Sequence, residues 1–113
     1  MKYKNGVVRK GSVNYNSEWH DVEWSKELMY GMGVFEQISI DVAAIEPVVT
    51  CGIEGVHSTN SLHPKGRAVD FRTSYYSGDQ AREIVRRVKA KIDKEFDIIL
   101  ESNHIHFERD LHN

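Results

Sequence analysis

The stretch NSLHPKGRAVDFRT, residues 60–73, changes midway from a loop into a strand. Proline and glycine interrupt its first half, and the chain before it is equally rich in glycine, serine and asparagine, which predicts a long loop over residues 52–66. The second half alternates in polarity, so Asp70 lies on one face of a strand and its two apolar neighbours on the other. The stretch therefore predicts a strand that presents a carboxylate, with His63 on the loop before it.

A second stretch, ESNHIHFE at residues 101–108, predicts another strand with a polar face. His104 and His106 are two positions apart and project to the same side, while the apolar residues beside them face a core. The run DIIL at residues 97–100 predicts the preceding strand, so the two form a hairpin that turns near the Ser-Asn pair between them. Two imidazoles on one strand face need polar partners, which favours a binding or catalytic role.

Two helices are predicted from the spacing of apolar side chains. After Ser25 these recur every three or four positions, which predicts a helix capped by Ser25 that continues toward Ile45 before a proline ends it. Residues 79–95 carry the clearest helical pattern, with Ser77 or Asp79 as the cap. Acidic residues interrupt the basic outer face of this second helix, so we interpret that face as solvated rather than as a nucleic-acid surface.

The remaining segments complete the predicted fold. Residues 1–23 show no sustained period and are predicted to be extended or loop structure, anchored by Trp19 and Trp24. The β-branched run VVTC predicts a strand that ends at Cys51, and we expect this cysteine to be a buried core thiol. Together the elements predict a single α+β domain over residues 1–113, with a small, mostly antiparallel sheet packed with two main helices.

The composition excludes several classes of protein. A net charge of −2 over 113 residues gives no broad attraction to nucleic acid or to anionic membranes. No segment approaches the roughly 18 apolar residues of a membrane span, and no signal-like apolar run follows the amino terminus, so we expect a chain that is cytoplasmic as synthesised. Cys51 is the single cysteine, which excludes an internal disulfide and leads us to expect only nitrogen and oxygen ligands in any metal site.

The loop and the strands together supply the ligands of a divalent metal site. His63, Asp70 and a histidine of the later strand give three protein ligands and leave a fourth position open to water, as in catalytic zinc sites. Gly66 permits the turn that folds the loop back over the strand. The small side chain of Ala68 leaves room on the same face, and the hydroxyl of Ser61 is close enough in sequence to orient a ligand.

These residues also fit two motifs without a gap. Residues 61–70 match Ser-x-His-x-x-Gly-x-Ala-x-Asp, and residues 101–106 match Glu-x-x-His-x-His. The pair resembles the zinc D-Ala-D-Ala carboxypeptidase and L-alanyl-D-glutamate endopeptidase family, whose fold is shared with the hedgehog signalling domain. The order of predicted elements extends the likeness over residues 45–108, and the chain looks most like short phage or prophage members. The resemblance implies a hedgehog/DD-peptidase-like fold, a Zn2+ cofactor and a peptidoglycan peptide substrate. It also implies an endolysin-type hydrolase, which would act on the cell wall after its release from the cytoplasm.

The resemblance also implies a role for each motif residue. His63 and Asp70 would be metal ligands, and the third ligand would be His106 in preference to His104. His104 would then donate a hydrogen bond to the transition state, and Glu101 would be the general base that moves a proton from water to the leaving amine. For contacts with substrate we expect four further residues: Ser61, His57, Arg67 and Arg72.

Asn103 departs from the family pattern, because some relatives carry an aspartate base at this position and an asparagine cannot take up a proton there. This departure keeps a second interpretation open, in which the chain is a zinc-bearing binding or structural module of the same fold without the chemistry. A third and weaker alternative is a metal-free domain whose histidines are structural. We expect a monomer, and no partner among nucleic acids or membranes.

Overall fold

The structure is a computed structural model that describes residues 1–55 and 60–110. Its elements, in chain order, are β1 (Lys2–Tyr3), β2 (Lys10–Tyr15), β3 (Glu18–Glu23), α1 (Lys26–Ala43), β4 (Val48–Cys51), a 3-10 turn (His63–Lys65), β5 (Ala68–Arg72), α2 (Gly78–Lys91), β6 (Phe96–Leu100) and β7 (His104–Arg109). Five strands form one sheet in the order β1-β4-β5-β7-β6, and β2 and β3 form a separate hairpin. Only β1 runs parallel to its neighbour in the five-stranded sheet.

The predicted class is therefore confirmed: a small α+β domain with two helices and a mostly antiparallel sheet. Both helices contribute to one hydrophobic core with the inward side chains of the sheet. None of the helices in the described part of the chain is both long and apolar enough to cross a membrane.

The alternation predicted for β5 and β7 is also confirmed. Four inward-facing side chains of these strands are completely buried: Val69, Phe71, Ile105 and Phe107. In the antiparallel register Asp70 lies opposite His106 and Arg72 lies opposite His104. Residues directly opposite each other share a sheet face, so this register gathers the polar side chains of both strands on the side away from the core.

Helix α1 begins where the sequence predicts, because the Ser25 hydroxyl accepts the Leu28 backbone N–H at 3.0 Å. Gly31 has a packing role, since a Cβ atom there would lie 2.7 Å from the rings of Phe107 and Phe96. Gly33 faces open space. The helix ends at Ala43, slightly before the predicted limit, because Ala44 adopts a left-handed conformation with φ of 55°.

Helix α2 is capped by Ser77 rather than by Asp79. The Ser77 hydroxyl accepts the Gln80 backbone N–H at 3.1 Å, and the Gln80 side chain returns a bond to the Ser77 backbone. The helix ends at Lys91, four residues before the predicted limit, because Ile92 takes an extended conformation and packs against the core. Its basic side chains pair locally, as Arg86 and Arg87 both contact Glu83, in keeping with a solvated face.

The extended structure predicted for residues 1–23 takes the form of three regular strands, whose limits the sequence did not predict. β1 pairs with β4, and β2 pairs with β3 through a tight turn at Asn16 and Ser17. Both turn residues have positive φ, of 54° and 63°, which is the conformation that two-residue hairpin turns require. Trp24 is buried as an anchor, but Trp19 is 73% exposed, so the prediction of an anchoring role for Trp19 was wrong.

Candidate metal centre

Asp70 lies at the centre of a group of histidines. One of its carboxylate oxygens, Oδ1, is 3.0 Å from His106 Nδ1 and 3.3 Å from His63 Nε2. The Nε2 atom of His104 lies 3.9 Å from the same oxygen. The structure thus brings together His63, Asp70, His104 and His106. We refer to these four, together with Cys51, whose sulfur lies close to His63 and Asp70, as the Asp70 cluster.

His63 is the first residue of the 3-10 turn, which positions it beside Asp70. The turn closes at Gly66, whose φ of 73° is the left-handed conformation that the predicted turn needs. The Gly66 carbonyl accepts the backbone N–H of Ser25, and a Cβ atom at Gly66 would lie 2.4 Å from the carbonyl oxygen of Glu23. The turn is therefore held against the end of the β2–β3 hairpin, and only glycine fits there.

His63 is oriented by its second ring nitrogen. Nδ1 lies 3.0 Å from the carbonyl oxygen of Gly52, which can only accept, so Nδ1 carries the proton and Nε2 is left to face Asp70. The Ser61 hydroxyl accepts the backbone N–H of His63 at 3.2 Å, so it helps to fix the backbone of the 3-10 turn at His63. The imidazole is buried, with 6% of its side chain exposed. This is the arrangement by which proteins hold a metal-binding histidine.

His106 lies between two carboxylates. Its Nδ1 faces Asp70, and its Nε2 is 2.7 Å from Glu108 Oε1. The hydrogen bond with Asp70 raises the pKa of His106 above its ordinary value, burial opposes this change, and Glu108 adds to it. Glu108 was not predicted as part of the site. The alternation that groups His104 with His106 extends to residue 108 and could have revealed it.

The Asp70 carboxyl group is ionised at neutral pH. Burial raises its pKa, but the hydrogen bonds with His106 and His63, together with the charges of the nearby histidines, outweigh burial and hold the pKa well below the usual range. An ionised carboxylate oxygen with several imidazole nitrogens around it is a ligand ready for a cation.

Asn103 holds the ring of His104. Its side-chain oxygen lies 2.6 Å from His104 Nδ1, so it accepts the Nδ1 proton and leaves Nε2 to face Asp70. Glu101 is exposed in the β6–β7 turn, where its backbone N–H donates to the His104 carbonyl at 2.9 Å. Within residues 1–55 and 60–110, no hydrogen bond or ion pair links the Glu101 carboxylate to the cluster.

The four predicted substrate contacts have different surroundings. Arg72 lies opposite His104 on the site face, where its guanidinium donates to the Tyr75 hydroxyl at 3.0 Å and lies over that ring. Arg67 precedes β5, and its backbone carbonyl accepts the Arg109 N–H. Ser61 is occupied by the backbone of the loop, as described above. His57 lies outside the described residues.

The expectation that Cys51 is a buried core thiol was wrong, and its sulfur belongs to the candidate ligand group although only nitrogen and oxygen ligands were expected. Cys51 is half-buried, and its Sγ lies within 4.8 Å of both a ring nitrogen of His63 and a carboxylate oxygen of Asp70. The cause is a β-bulge: Val49 pairs with Phe71, but Cys51 rather than Thr50 pairs with Asp70. Burial, followed by the charges of Glu54 and Asp70, raises the pKa of the thiol to about 12.

The donors of the Asp70 cluster suit a divalent transition metal. Imidazole nitrogen, carboxylate oxygen and cysteine sulfur are the three ligand types of zinc proteins. Cys51, His63 and Asp70 form the mutually close ligand group, and His106 reaches the same carboxylate oxygen from the neighbouring strand. No protein-family model, no curated protein and no solved structure matches this chain, so the case for a function rests on this geometry and on the motifs that produce it.

Proposed function

We propose that the chain is a zinc-dependent peptidase that hydrolyses peptidoglycan stem peptides, at bonds of the D-Ala-D-Ala or L-Ala-D-Glu type, by means of a metal-activated water. One observation carries the proposal. Oδ1 of Asp70 lies within 3.3 Å of both His63 Nε2 and His106 Nδ1, with His104 Nε2 close behind. The spacing of these donors along the chain is that of the resembled family, which favours a peptidase of a hedgehog/DD-peptidase-like fold over other metal hydrolases.

The proton positions around the cluster support a cation there. His63 and His104 each place a protonated Nδ1 on an oxygen acceptor, Gly52 and Asn103 respectively. Each therefore points Nε2 at the Asp70 carboxylate. A lone pair that faces a carboxylate is unfavourable unless a second proton or a cation lies between them. A metal ion at Asp70 would place a positive charge between these groups: His63 would bind it directly and His104 would face it from outside the ligand set, and the residues present fit such an ion.

His63, Asp70 and His106 would hold the metal. Glu108 would accept the remaining ring proton of His106, and the Gly52 carbonyl does the same for His63, so both imidazoles have outer partners. When bound there, zinc would polarise the scissile carbonyl and lower the pKa of a water molecule.

Glu101 and His104 would act on the substrate. Glu101 follows β6 directly across from His104, so the two lie at the same end of the β6–β7 hairpin. Glu101 would take a proton from the attacking water and return it to the leaving amine. His104, held by Asn103 at Nδ1, would donate a hydrogen bond to the developing oxyanion from Nε2 when the ring is doubly protonated. Arg72 carries the positive charge nearest to His104 in register and would bind a substrate carboxylate.

The proposal is tested by metal content and by cleavage. Purified protein supplied with zinc should hold about one equivalent and should cleave D-Ala-D-Ala or L-Ala-D-Glu peptides in a chelator-sensitive manner. Asp70→Asn should lose both properties, whereas Asp79→Asn, a matched change at an exposed carboxylate of α2, should keep both. Absence of cleavage for both peptide classes in zinc-loaded protein would refute the peptidase, and absence of bound zinc would refute the site.

The second candidate is a zinc-bearing binding or structural module of the same fold, and Asn103 is the observation that favours it. Its amide oxygen is used on His104 and cannot serve as a base. Glu101→Gln distinguishes the two candidates: the peptidase should lose about 10²–10⁴-fold in turnover while keeping its zinc. Glu18→Gln, at an exposed glutamate on β3, is the matched control. A zinc-loaded wild type with no turnover favours the module.

A further inference from the structure

Cys51 lies in cross-strand register with two of the predicted ligands, Asp70 and His106, on three adjacent strands. The register pairs Cys51 of β4 with Asp70 of β5, and Asp70 with His106 of β7. Directly opposite residues share a sheet face, and the bulge at Thr50 is what moves the cysteine onto this face. The nearly buried imidazole of His63 directs Nε2 into the same space from the 3-10 turn. The sulfur of Cys51 and the ring of His63 thus lie close to Asp70 from β4 and the 3-10 turn, and His106 reaches the same carboxylate oxygen from β7.

The spacing of these donors is close to that of a tetrahedral site. In such a site, bonds of 2.0–2.3 Å place the ligand atoms about 3.3–3.8 Å apart. The sulfur of Cys51, a nitrogen of His63 and an oxygen of Asp70 already lie within 4.8 Å of one another. Glu54, the other acidic side chain beside Cys51, accepts the backbone N–H groups of Val8 and Gly52 and also lies in hydrogen-bond contact with the Cys51 thiol, so it would accept the thiol proton in the metal-free protein.

We propose that Cys51 is the fourth ligand of the metal, a thiolate that completes the set Cys51, His63, Asp70 and His106 and occupies the position that a reacting water needs. This inference rests on the metal site of the proposed function and adds a resting state to it. The site is closed while Cys51 is bound and open when the sulfur withdraws.

The charges are consistent with a bound thiolate. Without a cation the thiol holds its proton, but a coordinated divalent ion deprotonates a thiol outright and releases the proton to solvent. A thiolate and the Asp70 carboxylate together balance the two positive charges of zinc in a half-buried site, which lowers the cost of burying the ion. A sulfur ligand also selects zinc and cobalt over magnesium and calcium.

Cobalt substitution tests the ligand directly. Co2+ added to the purified chain should give a near-ultraviolet thiolate-to-cobalt charge-transfer band, and this band should vanish in Cys51→Ser and Cys51→Ala. Thr50→Ser, a conservative change at the neighbouring position of β4, is the matched control and should keep the band. Cys51→Ser should also bind zinc at least about tenfold more weakly, since it loses one of four ligands.

Alkylation gives a second readout that needs no variant. Because Cys51 is the single cysteine, one mass shift reports its modification alone. At alkaline pH, where enough of the metal-free thiol ionises to react, zinc should slow the reaction of the wild type with iodoacetamide at least about tenfold, whereas magnesium should not. Asp70→Asn should lose this protection at limiting zinc.

The outcomes separate this inference from the proposed function. Bound cobalt that gives no charge-transfer band, or bound zinc that does not protect the thiol, overturns Cys51 as a ligand. Either result leaves the proposed site of His63, Asp70 and His106 intact. Failure of the wild type to bind either metal overturns both. If the thiolate closes the site, Cys51→Ala should turn over substrate faster per bound zinc than the wild type. An equal or lower rate overturns the closed resting state.

Discussion

On the helix side of β5 and β7, Phe71 and Phe107 are completely buried, whereas on the other side Asp70 and His106 keep 18% and 19% of their side chains exposed. The two faces share the same ten or so backbone positions and the same hydrogen-bond ladder. The helix-side face stabilises the fold, because its apolar side chains are removed from water. The other holds charges that depend on one another.

This difference teaches that stability and chemistry are separated by a single residue step along each strand. Neighbouring substitutions should therefore produce different kinds of loss. A change on the helix face should weaken the fold whether or not metal is bound. A change on the site face should act mainly on what binds there, and the following experiments test that separation.

The largest effect is expected for Phe107→Ala. Truncating this fully buried ring leaves a cavity between β7 and α1, and the free energy of unfolding should fall by about 3–5 kcal/mol in urea titrations. The neighbouring His106→Ala should cost the metal-free protein less, about 1–3 kcal/mol, through the hydrogen bonds that Asp70 and Glu108 lose.

Addition of zinc should distinguish Phe107→Ala from His106→Ala more clearly. It should raise the unfolding midpoint of Phe107→Ala as it does that of the wild type, because ligand binding stabilises any fold that retains the site. It should not raise that of His106→Ala. A Phe107→Ala protein that is insensitive to zinc would show that the two faces are not separable.

A smaller effect is expected for alanine at the two glycines of α1. Gly31→Ala places a Cβ atom against the rings of Phe107 and Phe96, so it should destabilise by about 1–3 kcal/mol through overpacking. Gly33→Ala, two positions along, meets open space and should stabilise by up to about 1 kcal/mol through helix propensity alone. Thermal unfolding of the pair measures the difference, and a destabilised Gly33→Ala would contradict the assignment of these faces.

The smallest effect is a pH dependence confined to the site face. In chelator-treated protein the pKa of His106 is raised from its ordinary value of 6.5, chiefly by Asp70. A raised histidine pKa contributes stability that is fully present below 6.5 and is lost as pH rises through the folded-state value. Urea midpoints of the metal-free wild type should therefore decline across that interval relative to His106→Gln. His20→Gln, at a histidine outside the Asp70 cluster, is the control, and an equal decline in His106→Gln would assign the effect to other groups.

Alternation explains why so much of this region follows from the sequence. The period of two in RAVDFR and HIHFE predicts both faces of β5 and β7, and the register then places Asp70 opposite His106. Gly66 is predicted for the same kind of reason, since its left-handed turn admits little else. Local rules suffice where each residue's role is set by its neighbours in the chain.

The features that the sequence did not predict depend on exceptions to those rules. Counting by twos from Val49 places Cys51 on the core face, and only a bulge reverses this. Gly52, directly after the cysteine, is the one sequence signal for such an irregularity. The β2–β3 hairpin was not predicted because its turn uses Asn16 and Ser17 instead of a glycine.

The contact between Val8 and the segment Gly52–Glu54 has a consequence for the order in which parts of the protein fold. The Val8 carbonyl accepts the backbone N–H of Ile53. The Val8 backbone N–H donates to the side chain of Glu54, which lies 46 positions later in the chain. The carbonyl that orients His63 belongs to this same segment. Closing so long a loop is slow compared with forming a helix, so we expect metal capture to be a late event in refolding. Zinc uptake followed after dilution from denaturant would then report the arrival of the amino-terminal segment, well after the helical signal has recovered.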